Sequence, residues 1–70
     1  MPLIEVHLAD GRTDEQKRAL LEGITNVVQD TIGASLDSIR VWINELPPTH
    51  YMAAGEWLVD KRARAARPGG

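Results

Sequence analysis

The fold is decided first by residues 2–8, which read Pro2-Leu3-Ile4-Glu5-Val6-His7-Leu8. Every second residue is apolar, so one face of this segment carries Pro2, Ile4, Val6 and Leu8. A period of two is typical of a β-strand with one buried face. Proline is tolerated at the first residue of a strand, where the missing N–H matters least. The stretch therefore predicts a first strand, which Asp10-Gly11 ends.

A helix is predicted next, because residues 13–16 read Thr13-Asp14-Glu15-Gln16 and form a capping box. The Thr13 hydroxyl can accept from the backbone N–H of Gln16, while the Gln16 side chain reaches back. Apolar residues then recur at helical spacing, at Leu20, Ile24, Val27 and Val28. This spacing predicts an amphipathic helix from about residue 14 to about residue 32. Gly33 is a favourable left-handed stop.

A second alternating segment spans residues 39–46, with Ile39, Val41 and Ile43 on one face. It predicts a second strand, which Pro47-Pro48 ends because neither proline can donate to a ladder. Strand, helix and strand make one β-α-β unit of the α/β class, with parallel strands and the helix on one face. Residues 49–55 indicate a loop or tight hairpin, and residues 56–59 a short further strand. We expect one domain over residues 1–60 and a basic, mobile tail over residues 61–70.

Composition limits how such a chain can be stable. It has 70 residues and no Cys, which excludes disulfides and thiolate zinc sites. Its only histidines, His7 and His50, are far apart in sequence and give no support to a metal site. A domain of this size buries too little surface to be robust alone. We therefore predict an oligomer without metal.

Charge and hydropathy exclude other classes of protein. Residues 1–60 hold four basic side chains and all ten acidic ones, a net charge of −6. Such a body is a poor nucleic-acid surface, because phosphate contacts dominate that binding. No apolar run approaches the roughly 18 residues of a membrane span, and the N-terminus does not read as a signal peptide. We expect a cytoplasmic protein that binds neither nucleic acid nor membrane.

Pro2 is the candidate catalytic residue, because removal of Met1 would make it an N-terminal secondary amine. A free α-amino group has a pKa of about 7.7–8.0. An apolar pocket beside a cation lowers that pKa, giving a base suited to proton abstraction next to a carbonyl. The alternative is that Met-Pro is merely a common start. If Met1 is retained, the Pro2 nitrogen is an amide and cannot act as a base.

Three further residues are candidates for substrate binding. Arg12 and Arg40 lie at predicted element ends and offer forked donors that match a carboxylate, which indicates an anionic substrate. The alternative is that both are surface arginines, Arg12 supporting the helix start and Arg40 pairing with an acid. Tyr51 follows the double proline, in a loop that could fold over a site. Trp42 and Trp57 would as readily fill a subunit interface.

Several short motifs occur in a specific order and spacing. They are Pro2 after Met1, residues 11–17 (Gly-Arg-Thr-Asp-Glu-Gln-Lys), Ile39-Arg40-Val41, and His50-Tyr51 before Gly55-Glu56. Together they cover about residues 2–56 and resemble the 4-oxalocrotonate tautomerase family, the short-chain branch of the tautomerase superfamily. The resemblance implies a β-α-β unit that pairs into dimers, with three dimers forming a hexamer.

The same resemblance implies an isomerase of aromatic catabolism that needs no cofactor. It makes Pro2 the base in enol–keto tautomerisation of a small anionic acid, such as 2-hydroxymuconate or a similar 2-keto acid. It makes Arg12 and Arg40 the binders of carboxylate and carbonyl, donated by neighbouring subunits. It places Tyr51 at an aromatic position that keeps the pocket apolar and the proline pKa low.

The chain departs from the family in the loop that reads Met52-Ala53-Ala54-Gly55, where glycines are usual. Since Ala has no easy access to positive φ, we expect a rearranged hairpin and a narrower pocket. Related haloacrylate dehalogenases carry a water-activating Glu at the position of Ala53, which argues against hydration chemistry. Two alternatives stay open: an enzyme that uses Pro2 on another unsaturated acid, and a non-catalytic oligomeric binding protein with this fold.

Overall fold

The computed structural model describes residues 1–66. In chain order its main elements are β1 (Leu3–Ala9), α1 (Asp14–Ile32), β2 (Arg40–Leu46), β3 (Met52–Ala53), β4 (Glu56–Trp57) and α2 (Leu58–Ala65). Single 3-10 turns lie at Leu36–Ser38 and Pro48–His50. The predicted β-α-β unit is confirmed.

β1 and β2 pair in parallel along their whole length, with Leu3 opposite Arg40 and Ala9 opposite Leu46. This register keeps the two apolar faces in phase, because Ile4 lies beside Val41 and both are half-buried. The opposite face of the sheet is largely exposed and carries Glu5 and His7 of β1 and Arg40 and Asn44 of β2. The alternation in the sequence therefore predicted correctly which face of the sheet is covered.

Local sequence explains where α1 begins and ends. The backbone N–H of Gln16 donates to Oγ1 of Thr13 at 3.1 Å, and the N–H of Thr13 donates to Oε1 of Gln16 at 2.9 Å. At the other end Gly33 has φ 69° and donates to the carbonyl of Gln29 at 3.0 Å. Lys17 ties the helix to β2, since its Nζ lies 2.7 Å from Oε1 of Glu45. The predicted helix of residues 14–32 is confirmed.

The core of the single chain is very small. Among residues 1–66 only the side chain of Ile39 is buried, at 8% exposure. Large apolar side chains are exposed on the outer sheet face, at Leu3 and Trp42, and on α1, at Val27 and Ile32. No helix in this part of the chain combines the length and apolar character of a membrane span. The folded chain thus retains much of the apolar surface that a 70-residue domain cannot bury alone.

β3 and β4 form a tight antiparallel hairpin, in which Met52 pairs with Trp57. Its two turn residues, Ala54 and Gly55, have φ of 53° and 77°. Two positive φ values are the signature of a type I′ turn, which matches the twist of a hairpin. The hairpin therefore forms although Ala54 must adopt a left-handed conformation. The indole N–H of Trp57 donates to the carbonyl of Thr49 at 3.1 Å and pins the hairpin to the preceding turn.

α2 is the element that the sequence did not predict. The short strand expected over residues 56–59 ends at Trp57, because α2 begins at Leu58. The helix runs through the first half of the expected basic tail, while residues 67–70 lie outside the described residues. Its Arg62 binds Asp10 and its Arg64 binds Glu56, so acidic partners hold the segment on the body of the chain. The division into a domain and a tail at residue 60 stays a prediction.

Candidate active site

Pro2 and Arg40 lie together at one end of the parallel sheet. The backbone N–H of Arg40 donates to the carbonyl of Pro2 at 3.0 Å, one step before the Leu3–Arg40 pair that opens the ladder. Pro2 is half-buried, whereas Met1 is 82% exposed. Loss of Met1 would thus leave the Pro2 nitrogen at the start of a hydrogen-bonded strand, which fixes its position.

Arg12 and Tyr51 lie together at the opposite end of the sheet. Both line a cavity of about 430 Å³. Its other lining residues are His7, Leu8, Ala9, Leu46, Leu58, Lys61 and Arg62. The parallel register explains this meeting, because the turn after β1 and the turn after β2 emerge at the same edge of the sheet.

The four predicted site residues therefore form two separate pairs. β1 has seven residues, and at about 3.3 Å per residue it separates Pro2 from the turn that carries Arg12 by about 20 Å. That distance exceeds the length of an arginine side chain. Pro2 and Arg12 of one chain cannot contact the same small molecule.

The two predicted arginines differ in their partners from most basic residues of the described region. Nη1 of Arg12 donates to the carbonyl of Ala9 at 3.1 Å. Nη1 of Arg40 donates to the carbonyls of Asp37 at 2.5 Å and Ile39 at 3.2 Å. Within residues 1–66, neither guanidinium forms an ion pair, and each retains N–H groups for a ligand. Arg40 is thus not paired with an acid, and Arg12 binds the end of β1 rather than α1.

By contrast, four other basic side chains of the described region each have an acidic partner. These residues are Lys17, Arg18, Arg62 and Arg64. The strongest electrostatic effect falls on Lys17, where the hydrogen bond to Glu45 raises the pKa above its ordinary value of 10.5. Within residues 1–66, the basic side chains without an acidic partner are thus the two predicted site arginines and Lys61.

Tyr51 is held by its backbone and exposes its ring. Its carbonyl accepts from the backbone N–H of Leu58 at 2.9 Å, which joins the Tyr51 loop to the start of α2. The residue is 42% exposed and lines the cavity beside Arg12. His7 lines the same cavity, and its Nε2 lies 3.8 Å from Oε1 of Glu5, beyond hydrogen-bonding distance.

Lys61 is the cavity residue that sequence reasoning missed. The sequence placed it in a basic tail without a role. The richness of residues 61–66 in Ala, Lys and Arg favours a helix and could have revealed α2. The position of that helix depends on the contact of Arg62 with Asp10, which local sequence does not encode. Within residues 1–66, no three His, Asp or Glu side chains are grouped as metal ligands would be.

Comparison with known proteins identifies the family. The profile described as tautomerase enzyme matches residues 2–61. The 2-hydroxymuconate tautomerase of Bacillus subtilis is 48% identical over 60 residues, which are 86% of this chain and 97% of that protein. A 2-hydroxymuconate tautomerase of Stutzerimonas stutzeri is 38% identical over 56 residues, 80% of this chain and 89% of that protein.

Solved structures agree with the sequence comparison. A 4-oxalocrotonate tautomerase isozyme from Methylibium petroleiphilum superimposes with a TM-score of 0.85 at 38% identity, over 90% of this chain and 98% of that one. A heterohexamer 4-oxalocrotonate tautomerase from Chloroflexus aurantiacus has a TM-score of 0.81 at 28% identity, over 86% of this chain and 97% of that one. The resemblance that the motifs indicated is confirmed, and the chain belongs to the tautomerase family of enzymes.

Proposed function

We propose that this tautomerase converts the enol form of a 2-hydroxy-dienoate, such as 2-hydroxymuconate, into the conjugated ketone. The general base is the amine of Pro2, freed by removal of Met1. The observation that carries the proposal is the state of Arg12 and Arg40, which have no acidic partner within residues 1–66 although most other basic side chains do. The name of the Bacillus subtilis relative, 2-hydroxymuconate tautomerase, supports this substrate class.

The reaction moves one proton and needs no electron acceptor. The Pro2 nitrogen takes the proton of the 2-hydroxyl group, the C–O bond becomes a carbonyl, and the double bonds shift along the chain. The same nitrogen then returns the proton to carbon. Forked guanidinium donors bind a carboxylate bidentately and stabilise negative charge that develops on the carbonyl oxygen. Arg12 and Arg40 serve these two tasks, and Tyr51 contributes an apolar ring that keeps the amine neutral.

The site is composite and requires an oligomer. Because about 20 Å separate Pro2 from the Arg12 turn along a strand, the Arg12 and Tyr51 that complete a Pro2 site come from a neighbouring chain. We infer a homo-oligomer, a hexamer built as a trimer of dimers. The exposed apolar side chains of β1, β2 and α1 supply surface for these contacts. The Chloroflexus aurantiacus neighbour, described as a heterohexamer, is consistent with assembly on this fold.

The test begins with the intact mass of the purified protein, which should lack one methionine. Ketonisation of 2-hydroxymuconate is then followed in two variants that separate the ring of proline from its amine. Pro2→Ala keeps a terminal amine but loses the ring. A Gly-Ser extension before Pro2 keeps the ring but converts its nitrogen into an amide.

A base at Pro2 predicts that the extended protein loses essentially all activity and that Pro2→Ala loses about two orders of magnitude or more, consistent with general-base contributions of about 10²–10⁴-fold. Both variants should elute as the same oligomer as the parent in size-exclusion chromatography. An extended protein with undiminished activity would remove the proposed mechanism.

A further inference from the structure

The cavity that holds Arg12 and Tyr51 contains two cations of α2 that the proposed function does not use, Lys61 and Arg62. Their circumstances differ. Arg62 forms an ion pair and two hydrogen bonds with Asp10. Lys61 is exposed and takes part in no ion pair within the described part of the chain. It shares this lack of an acidic partner with Arg12 and Arg40.

Arg62 determines the charge that surrounds Lys61. Its Nη1 donates to Oδ1 of Asp10 at 2.8 Å, and its Nη2 donates to the carbonyl of Asp10 at 2.6 Å. Asp10 lies on the same turn as Arg12, so its carboxylate would otherwise offset the charge of that arginine. Because Arg62 neutralises Asp10, the cavity keeps two uncompensated positive charges, on Arg12 and Lys61. The same two bonds hold α2 against the turn that carries Arg12.

The lining of the cavity suits one end of an unsaturated dicarboxylate. Leu8, Leu46 and Leu58 line the cavity together with the cations Arg12 and Lys61, so apolar and positively charged groups share its lining. A carboxylate has two oxygens with about four acceptor sites, more than a single guanidinium satisfies. The planar guanidinium of Arg12 and the ammonium of Lys61, on its flexible side chain, together complement one carboxylate.

We propose that Lys61 is a substrate-binding residue, which holds one carboxylate of a dicarboxylate together with Arg12. The proposal rests on the proposed function for the substrate class, and adds a third cation to the two that the family resemblance implies. The match to the tautomerase profile covers residues 2–61, so Lys61 is the last residue within it.

The test measures binding rather than turnover, so that it does not depend on Pro2. cis,cis-Muconate, a dicarboxylate without the reactive hydroxyl, is titrated calorimetrically into the parent protein and into Lys61→Gln, Lys61→Arg and Arg64→Gln. Arg64 is the matched control, because it lies on the same helix but pairs with Glu56 outside the cavity. Circular dichroism and elution volume verify that each variant keeps its fold and assembly.

We expect Lys61→Gln to weaken binding by about tenfold, as loss of a hydrogen bond to a charged group does. Lys61→Arg should stay within about threefold of the parent, and Arg64→Gln should bind as the parent does. Unchanged binding by Lys61→Gln, or equal weakening in Lys61→Gln and Arg64→Gln, would overturn the proposal. If Lys61→Gln weakens binding but the protein with the Gly-Ser extension before Pro2 keeps full turnover, Lys61 is retained as a ligand and the proposed base is rejected.

Discussion

The backbone N–H of Arg40 donates to the carbonyl of Pro2 at 3.0 Å, whereas Arg12 lies beyond the far end of the strand that Pro2 begins. One end of the sheet thus presents the proposed base, and the other presents an arginine and a tyrosine around a cavity. Neither end alone contains the groups that a tautomerase reaction needs.

Two variants that lack different site residues should recover activity when their chains assemble together. When Pro2→Ala and Arg12→Ala chains are unfolded together and refolded as a mixture, an intact site forms wherever an Arg12→Ala chain supplies Pro2 and a Pro2→Ala chain supplies Arg12. Random assembly of equal amounts makes about a quarter of the sites intact. Activity of about that fraction of the parent is expected, while each variant refolded alone stays inactive. A site contained in one chain would give no recovery.

Replacing Arg40 by alanine should impair substrate binding. The side chain has no acidic partner among residues 1–66, so its loss disrupts little of the fold. We expect kcat/KM for 2-hydroxymuconate to fall about 10–100-fold, mainly through KM, as a charge-assisted hydrogen bond is lost. Arg18→Ala is the control, because Arg18 is an exposed partner of Glu22 on α1. An unchanged kinetic profile for Arg40→Ala would rule out Arg40 as a ligand.

A glycine at the first turn residue of the β3–β4 hairpin should increase the stability of the protein. Ala54 adopts φ 53° and Gly55 φ 77°, and only glycine reaches this region without steric cost. Ala54→Gly should stabilise the protein by roughly 0.5–1 kcal/mol, because the relief of left-handed strain exceeds the added chain entropy. Ala53→Gly, one residue earlier in β3, should instead destabilise it. Denaturant unfolding of both variants checks the sign of each change.

The ion pair between Lys17 and Glu45 should make stability fall in strong alkali. The hydrogen bond to Glu45 raises the pKa of Lys17 above 10.5, and desolvation opposes it to a smaller extent. A lysine whose pKa is raised by folding stabilises the protein fully below its ordinary pKa, and this stabilisation is lost as pH rises through the raised value. The melting temperature of the parent should therefore exceed that of Lys17→Met at neutral pH. The difference should shrink as the pH rises above 10.5 and through the raised pKa of Lys17; a constant difference would contradict this assignment.

The first two strands and α1 could be predicted because their determinants are local. Thr13 and Gln16 cap the same helix turn, and Gly33 ends the helix by its own conformation. The alternation in β1 and β2 indicated which face is covered without knowledge of the partner strand. Among the site residues, the meeting of Arg12 with Tyr51 at one edge of the sheet follows from parallel pairing, which the β-α-β pattern implies.

Contacts between distant parts of the chain could not be predicted in the same way. Arg62 meets Asp10 across 52 positions, so nothing near either residue reveals that α2 lies against the first turn. Whether Lys61 has an acidic partner likewise depends on the positions of acidic side chains in the folded chain, which the local sequence does not reveal. Ala54 was expected to disturb the hairpin, but the pairing of β3 with β4 and the bond from Trp57 to Thr49 hold the turn in place.

Because Ile39 is the only buried side chain among residues 1–66, the measured stability of the protein should depend on its concentration. A chain that buries a single side chain within residues 1–66 gains little from folding by itself. In the proposed oligomer most of the apolar burial accompanies association, so that folding and assembly become one equilibrium. We expect the denaturation midpoint to rise with protein concentration, as mass action requires for linked folding and association. In the proposed oligomer the thermodynamic unit is the assembled particle, so dilution alone should destabilise the fold.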